Sequence, residues 1–167
     1  MRAGVIAAAA LVAALPLGTS ANAQDQGTPY WASISSGKAN MRTGPGRTYP
    51  AVWLYQRKDL PVRVHQRYDN WRRIEGPGGA EGWMAVALLS ERRTGMVMGE
   101  EPADIHAQPD GDSAVVYRVE PGVVGRISEC NGNWCRISIE VGRKQRSGGW
   151  IVQGALWGVD EGEVIDD

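Results

Sequence analysis

The chain has 167 residues, with 22 Gly, 9 Pro, 7 Trp, 5 Tyr, no Phe and a formal net charge of −1. That length admits one ordinary domain or two small ones, and the Gly and Pro content argues for many turns and against long helices. Near-neutrality implies neither a nucleic acid nor a membrane as partner. The charge is nevertheless uneven: Tyr30 to Gly95 hold 11 basic and 5 acidic residues, Met96 to Gly158 hold 6 and 8, and Val159 to Asp167 hold 5 acids and no base. A basic module, a mildly acidic module and an acidic tail suggest different faces for different partners.

Arg2 precedes an apolar run from Ala3 to Leu17, and Ala21-Asn22-Ala23 fits a small-x-small cleavage pattern. The run is shorter than the roughly 20 residues that a membrane span needs, so residues 1–23 read as a secretory signal peptide. A mature start at Gln24 gives an exported protein, periplasmic or secreted, without a membrane span. Residues 24–30 are then a short polar tether.

The first module is expected over residues 31–93. Trp31 to Ser36 reads as a strand with Ala32 and Ile34 facing inward. In Asn40-Met41-Arg42-Thr43, alternation turns Met41 inward and Arg42 outward. Gly44-Pro45-Gly46 can supply a tight turn, Pro by fixing φ and Gly by tolerating positive φ. Ala51 to Tyr55 is extended again. Leu60, Val62 and Val64 alternate with Pro61, Arg63 and His65, the period of a half-buried strand. Asp69-Asn70 turns the chain into Trp71 to Glu75, Gly76 to Gly79 makes the next hairpin, and Gly82-Trp83-Met84-Ala85 returns. Short strands separated by Gly and Pro indicate a small barrel or sandwich.

Four blocks in this order, NMRTGPG, LPVRV, DNWRRIE and EGWM followed by ALLSERR, resemble the bacterial SH3-like (SH3b) family, in particular its exported tandem-domain branch. The resemblance implies an all-β fold of two tandem, partly open SH3-like barrels of five to seven strands. It also implies a module that binds cell-wall material or protein partners.

A second, worn copy is expected over 103–158, after a short junction at 94–102 and before an acidic tail at 159–167. Pro109 aligns with Pro45, Trp134 and Ile137 with Trp71 and Ile74, Trp150 with Trp83, and Leu156 with Leu89, which marks a duplication. His106 replaces Arg42, and Gln108-Pro109-Asp110-Gly111 replaces the Gly-Pro-Gly loop. The second copy therefore does something different with that loop, or nothing. The junction is short and apolar at Met96-Val97-Met98, so the modules are expected to pack together.

Cys130 and Cys135 bracket Asn131-Gly132-Asn133-Trp134. An Asn-Gly turn brings residues five apart within disulfide reach, and export permits the bond. A metal site or a nucleophile are the other roles for this pair. A metal needs further ligands, and no His or Cys cluster is near in sequence.

The chain has two His, His65 and His106, both at strand positions. Wall-cutting peptidases need a Cys with a His, or a metal held by His. A carboxylate pair could serve a glycosidase, but Glu75 and Glu81 flank a hairpin and read as solvated charges. The expectation is a protein that is not an enzyme and uses no metal or cofactor. Because Ile74 points inward, Trp71, an odd number of residues away, points outward. In eukaryotic relatives a Trp in that relation lines a peptide groove, yet the aromatic cluster those relatives carry at the domain start is missing here. The candidate ligand-binding surface combines Arg42, Tyr49, Trp71, Arg73 and Trp83; the alternative role of Trp71 and Trp83 is to seal the core. Aromatic faces stack on sugars or apolar side chains, and Arg grips carboxylates, which suits peptidoglycan. The alternative partner is another envelope protein, with the chain as a structural adaptor.

Overall fold

The computed structural model describes residues 27–141 and 145–166. The expected signal peptide and residues 24–26 of the tether lie outside the described residues. Seven strands make the first sheet: β1 (Tyr30–Ile34), β2 (Ala39–Arg42), β3 (Ala51–Tyr55), β4 (Pro61–Tyr68), β5 (Trp71–Glu75), β6 (Glu81–Ala85) and β7 (Leu89–Ser90). Eight make the second: β8 (Thr94–Val97), β9 (Ala103–His106), β10 (Val115–Val119), β11 (Val124–Asn131), β12 (Trp134–Val141), β13 (Gln145–Val152), β14 (Leu156–Trp157) and β15 (Val164–Ile165).

The first sheet runs β3-β2-β6-β5-β4-β1-β7 and the second runs β10-β9-β13-β12-β11-β8-β14, with β15 added to β11. The two orders match strand for strand. Each sheet curls on itself without closing, as expected of partly open SH3-like barrels. A one-turn 3-10 helix precedes the last strand of each, Val86–Leu88 in one and Gln153–Ala155 in the other.

Alternation sets each core. Ile34, Met41, Val62, Val64, Ile74 and Met84 fill the first, and Val97, Ile105, Ile127, Ile137 and Ile151 fill the second. β1 departs from alternation, because Trp31, Ala32, Ser33 and Ile34 are all buried. Its second face is covered by the other module. Trp157 meets the Trp31 ring edge-on at 5.0 Å and donates its indole N–H to the Pro61 carbonyl at 3.1 Å. The Arg63 guanidinium lies over the Trp31 ring and pairs with Asp160.

The expected junction at 94–102 begins with β8, which is paired to β11 and β14 inside the second sheet. The expected acidic tail also begins in structure. Val159 is buried, and β15 pairs with the end of β11. Glu163 chelates Arg93 at 2.6 and 2.9 Å, while Arg93 also donates to the Gly158 carbonyl at 3.0 Å. Burial works against the Glu163 carboxylate, but the Arg93 hydrogen bond, the Asp160 amide and the Arg93 charge outweigh it. Its pKa therefore lies below the ordinary 4.5.

Cys130 and Cys135 sit directly opposite on β11 and β12 and form a disulfide with Cα atoms 4.1 Å apart. The two loop positions are Gly132 and Asn133 rather than Asn-Gly. Gly132 takes φ +91°, and the Asn131 side chain accepts the amides of Asn133 and Trp134.

Candidate ligand-binding face

With Met41, Ile74 and Met84 turned inward, the intervening residues of β2, β5 and β6 form the outer face of the first sheet. Arg42 is paired with Trp83, and Trp83 with Arg73, so these three make one cross-strand row. In the next row Trp71 faces Ala85 across β6 and Tyr68 across the Asp69-Asn70 turn.

The opening loop holds Arg42 in place. Thr43 N–H bonds the Pro50 carbonyl, Tyr49 N–H bonds the Gly46 carbonyl, and Arg42 Nη1 donates to the Tyr49 carbonyl at 2.7 Å. Neither Gly44 nor Gly46 has positive φ, in contrast to the conformational role the sequence suggests. Their role is spatial: a Cβ on Gly44 would lie 2.4 Å from the Tyr49 ring. Tyr49 thus folds over its own loop and braces Arg42 through its backbone.

Trp71 is partly exposed and lines an open groove of about 370 Å³ with Asn40, Arg42, Arg47 and Leu88. An adjoining hollow continues past Trp71 to Asp69 and Asn70. Tyr49, Arg73 and Trp83 are not among the groove residues. The Trp83 ring rests edge-on against Tyr68 at 6.3 Å, and Arg73 pairs with Glu81 at 2.7 Å. Of the five expected residues, Arg42 and Trp71 are brought together in the groove, Arg73 and Trp83 share its face, and Tyr49 supports it. Arg47 and Tyr68 were not singled out from sequence. Tyr68 was accessible to such reasoning, since a two-residue turn at Asp69-Asn70 sets it opposite Trp71. Arg47 sits in a loop, where alternation gives no direction.

The groove can present two guanidinium groups beside an indole face, which is a receptor for a carboxylate attached to an apolar or sugar surface. It offers no acid–base pair. Glu81 is engaged by Arg73, and Glu75 meets His65 Nε2 at 2.8 Å. Among the described residues no group of three His, Cys, Asp or Glu could hold a metal ion, and no helix is long and apolar enough to cross a membrane.

The second sheet keeps more of this face than its loop suggests. His106 pairs with Trp150, Trp150 with Arg136, and Trp134 with Val152. His106, Trp134, Arg136 and Trp150 therefore occupy the places of Arg42, Trp71, Arg73 and Trp83. Both groove arginines are gone, however, with Gly111 at the position equivalent to Arg47. The buried His106 ring packs edge-on against Trp134 at 5.1 Å, with Nδ1 3.0 Å from the Ser113 carbonyl. An imidazole thus stands against Trp134 where the first sheet has its arginines.

The family model for the bacterial SH3 domain matches the chain twice, over residues 35–91 and 99–158. The chain belongs to that family, as a tandem pair. No curated protein matches it. Among solved structures, NlpC2 and NlpC1 from Trichomonas vaginalis are similar at 15% and 16% identity, with a TM-score of 0.34 each. The matches cover 78% and 77% of this chain but 48% and 45% of those proteins, so the chain spans less than half the length of either.

Proposed function

We propose that this protein is an exported, non-catalytic binding module that recognises peptidoglycan through the outer groove of its first bacterial SH3 domain. The observation that carries this reading is the Arg42, Arg47 and Trp71 groove, which has two cations and an aromatic wall. Peptidoglycan supplies matching parts: short peptides with carboxylates, attached to sugars. Trp71 stacks on the apolar part of the ligand, while Arg42 and Arg47 take the carboxylate with charge-assisted hydrogen bonds. The second domain, with His106 against Trp134 and no counterpart of Arg47, is assigned to supporting the first. The disulfide and the apolar run at the start of the chain agree with an envelope or secreted location.

Co-sedimentation of the processed protein with purified sacculi tests this reading. Binding is expected at low salt and should weaken by about tenfold in Trp71→Ala and in Arg47→Glu, while Trp134→Ala keeps it. Absence of wild-type co-sedimentation, or a single stoichiometric partner of another kind captured by crosslinking in cells, would overturn it. Clearing of wall material in a zymogram would overturn the non-catalytic part.

A further inference from the structure

We infer that copies of this chain associate head to tail, edge strand β3 of one copy pairing with edge strand β10 of the next. Each sheet ends in one of these strands, paired on one side alone among the described residues. A free strand edge presents unpaired backbone N–H and C=O groups, and proteins usually blunt it with charge. Neither edge carries an unpaired charge at its centre. Val52, Trp53 and Leu54 on β3 are 52%, 53% and 47% exposed, and Val115 and Val116 on β10 are 46% and 49% exposed. These are bulky apolar side chains on short strands. Arg118, the one charge within β10, is already paired with Asp104.

The flanks decide which edges can meet. β2 ends at Arg42 and β9 at His106, and β3 and β10 begin at Ala51 and Val115, so the repeats are in constant register here. The first copy of this segment, residues 40–58, holds Arg42, Arg47, Arg57 and Lys58 and no acid. The equivalent residues 104–122 hold Asp104, Asp110, Asp112 and Glu120 against Arg118 alone. Two β3 strands brought together antiparallel would join two segments that hold bases and no acid. Two β10 strands would oppose Asp110 and Asp112 to Glu120. Like pairing is repelled in both cases, whereas β3 against β10 sets Arg57 and Lys58 near Asp112.

Each edge also carries a bulge, at Val52 in β3 and at Val116 in β10. A bulge raises the local twist, so pairing extends over a few residues and a flat stack of many strands is disfavoured. Since β3 and β10 are different surfaces of one chain, their contact is heterologous and leaves a free edge at each end of the assembly. The inference does not rest on the peptidoglycan reading, because neither strand supplies a residue to the groove around Trp71.

Sedimentation velocity of the processed, disulfide-bonded protein across a concentration series tests it. The wild-type mass should rise above monomer with concentration and fall back at high salt. Hydrogen exchange should slow at Val52 to Leu54 and at Val115 and Val116 over the same range. Arg57→Glu with Lys58→Glu sets acid against Asp112, and Asp112→Lys with Glu120→Lys sets base against Arg57 and Lys58. Each double variant alone should associate at least about tenfold more weakly, and an equimolar mixture should recover assembly. That recovery also shows both variants to be folded. A wild-type protein monomeric throughout, variants that assemble as the wild type does, or a mixture that stays monomeric would each overturn the inference.

Discussion

Gly44 and Tyr49 show how one missing side chain shapes the opening loop. The Tyr49 ring occupies the space where a Cβ of residue 44 would stand, and the same turn delivers the Tyr49 carbonyl to Arg42. Gly44→Ala is therefore expected to cost about 1–3 kcal/mol by overpacking. The same substitution in a Tyr49→Ala background should cost much less, because the clashing ring is gone. Urea denaturation of the four proteins in this cycle measures the coupling, and additive losses would show that the ring is not what excludes a side chain at 44. Sequence alone supports Arg42 outward and Met41 inward, because both follow from alternation. It does not supply the reason for Gly44, which lies in a contact five residues away.

At the scale of elements, the β11–β12 hairpin carries the one covalent cross-link. Its loop is short, so the chain-entropy contribution is about 2 kcal/mol. Oxidised and reduced wild-type protein should differ in unfolding free energy by roughly that amount. The local loss should appear first in β15, which pairs with Cys130 and Asn131 at the turn end of the hairpin. Hydrogen exchange at Val164 and Ile165 measures this, and unchanged protection after reduction would separate β15 from the disulfide. The pairing of Cys130 with Cys135 was legible because five residues around a tight turn leave few alternatives. The fate of β15 was not, since two apolar residues among acids carry no period.

The molecule as a whole is held by a strap. Residues after β14 return to the first module, where Asp160 meets Arg63 and Glu163 meets Arg93. Gly158 takes φ +120° there, and a Cβ on it would lie 2.3 Å from the Thr94 carbonyl. Glu163 has a lowered folded pKa, so its contribution is fully present above its ordinary value of 4.5 and is lost as pH falls through the lower folded value. Glu163→Gln should destabilise the protein by about 1–3 kcal/mol at neutral pH. The gap to wild type should narrow as pH drops below about 4.5. Denaturation at pH 7 and pH 3 checks the sign, and a gap that widened in acid would contradict it. A head-to-tail assembly built on this strapped pair would present the Trp71 grooves in series, raising avidity for a repetitive ligand without any new contact in the groove.

Sequence by itself determined the family, the duplication, the inward faces of β2, β4 and β5, the outward position of Trp71 and the cysteine pair. All of these rest on short-range regularities: a period of two, Gly and Pro turns, and landmarks recurring in order. Only the tertiary structure decided that both faces of β1 are buried, that β8 belongs to the second sheet and that the acidic tail begins as a strap. The same holds for the company of Trp71, where Arg47 joins Arg42 in the groove while Trp83 leans on Tyr68. These outcomes depend on which surfaces meet across large separations in the chain. Such meetings are set by the packing of two sheets and leave no periodic trace in either segment.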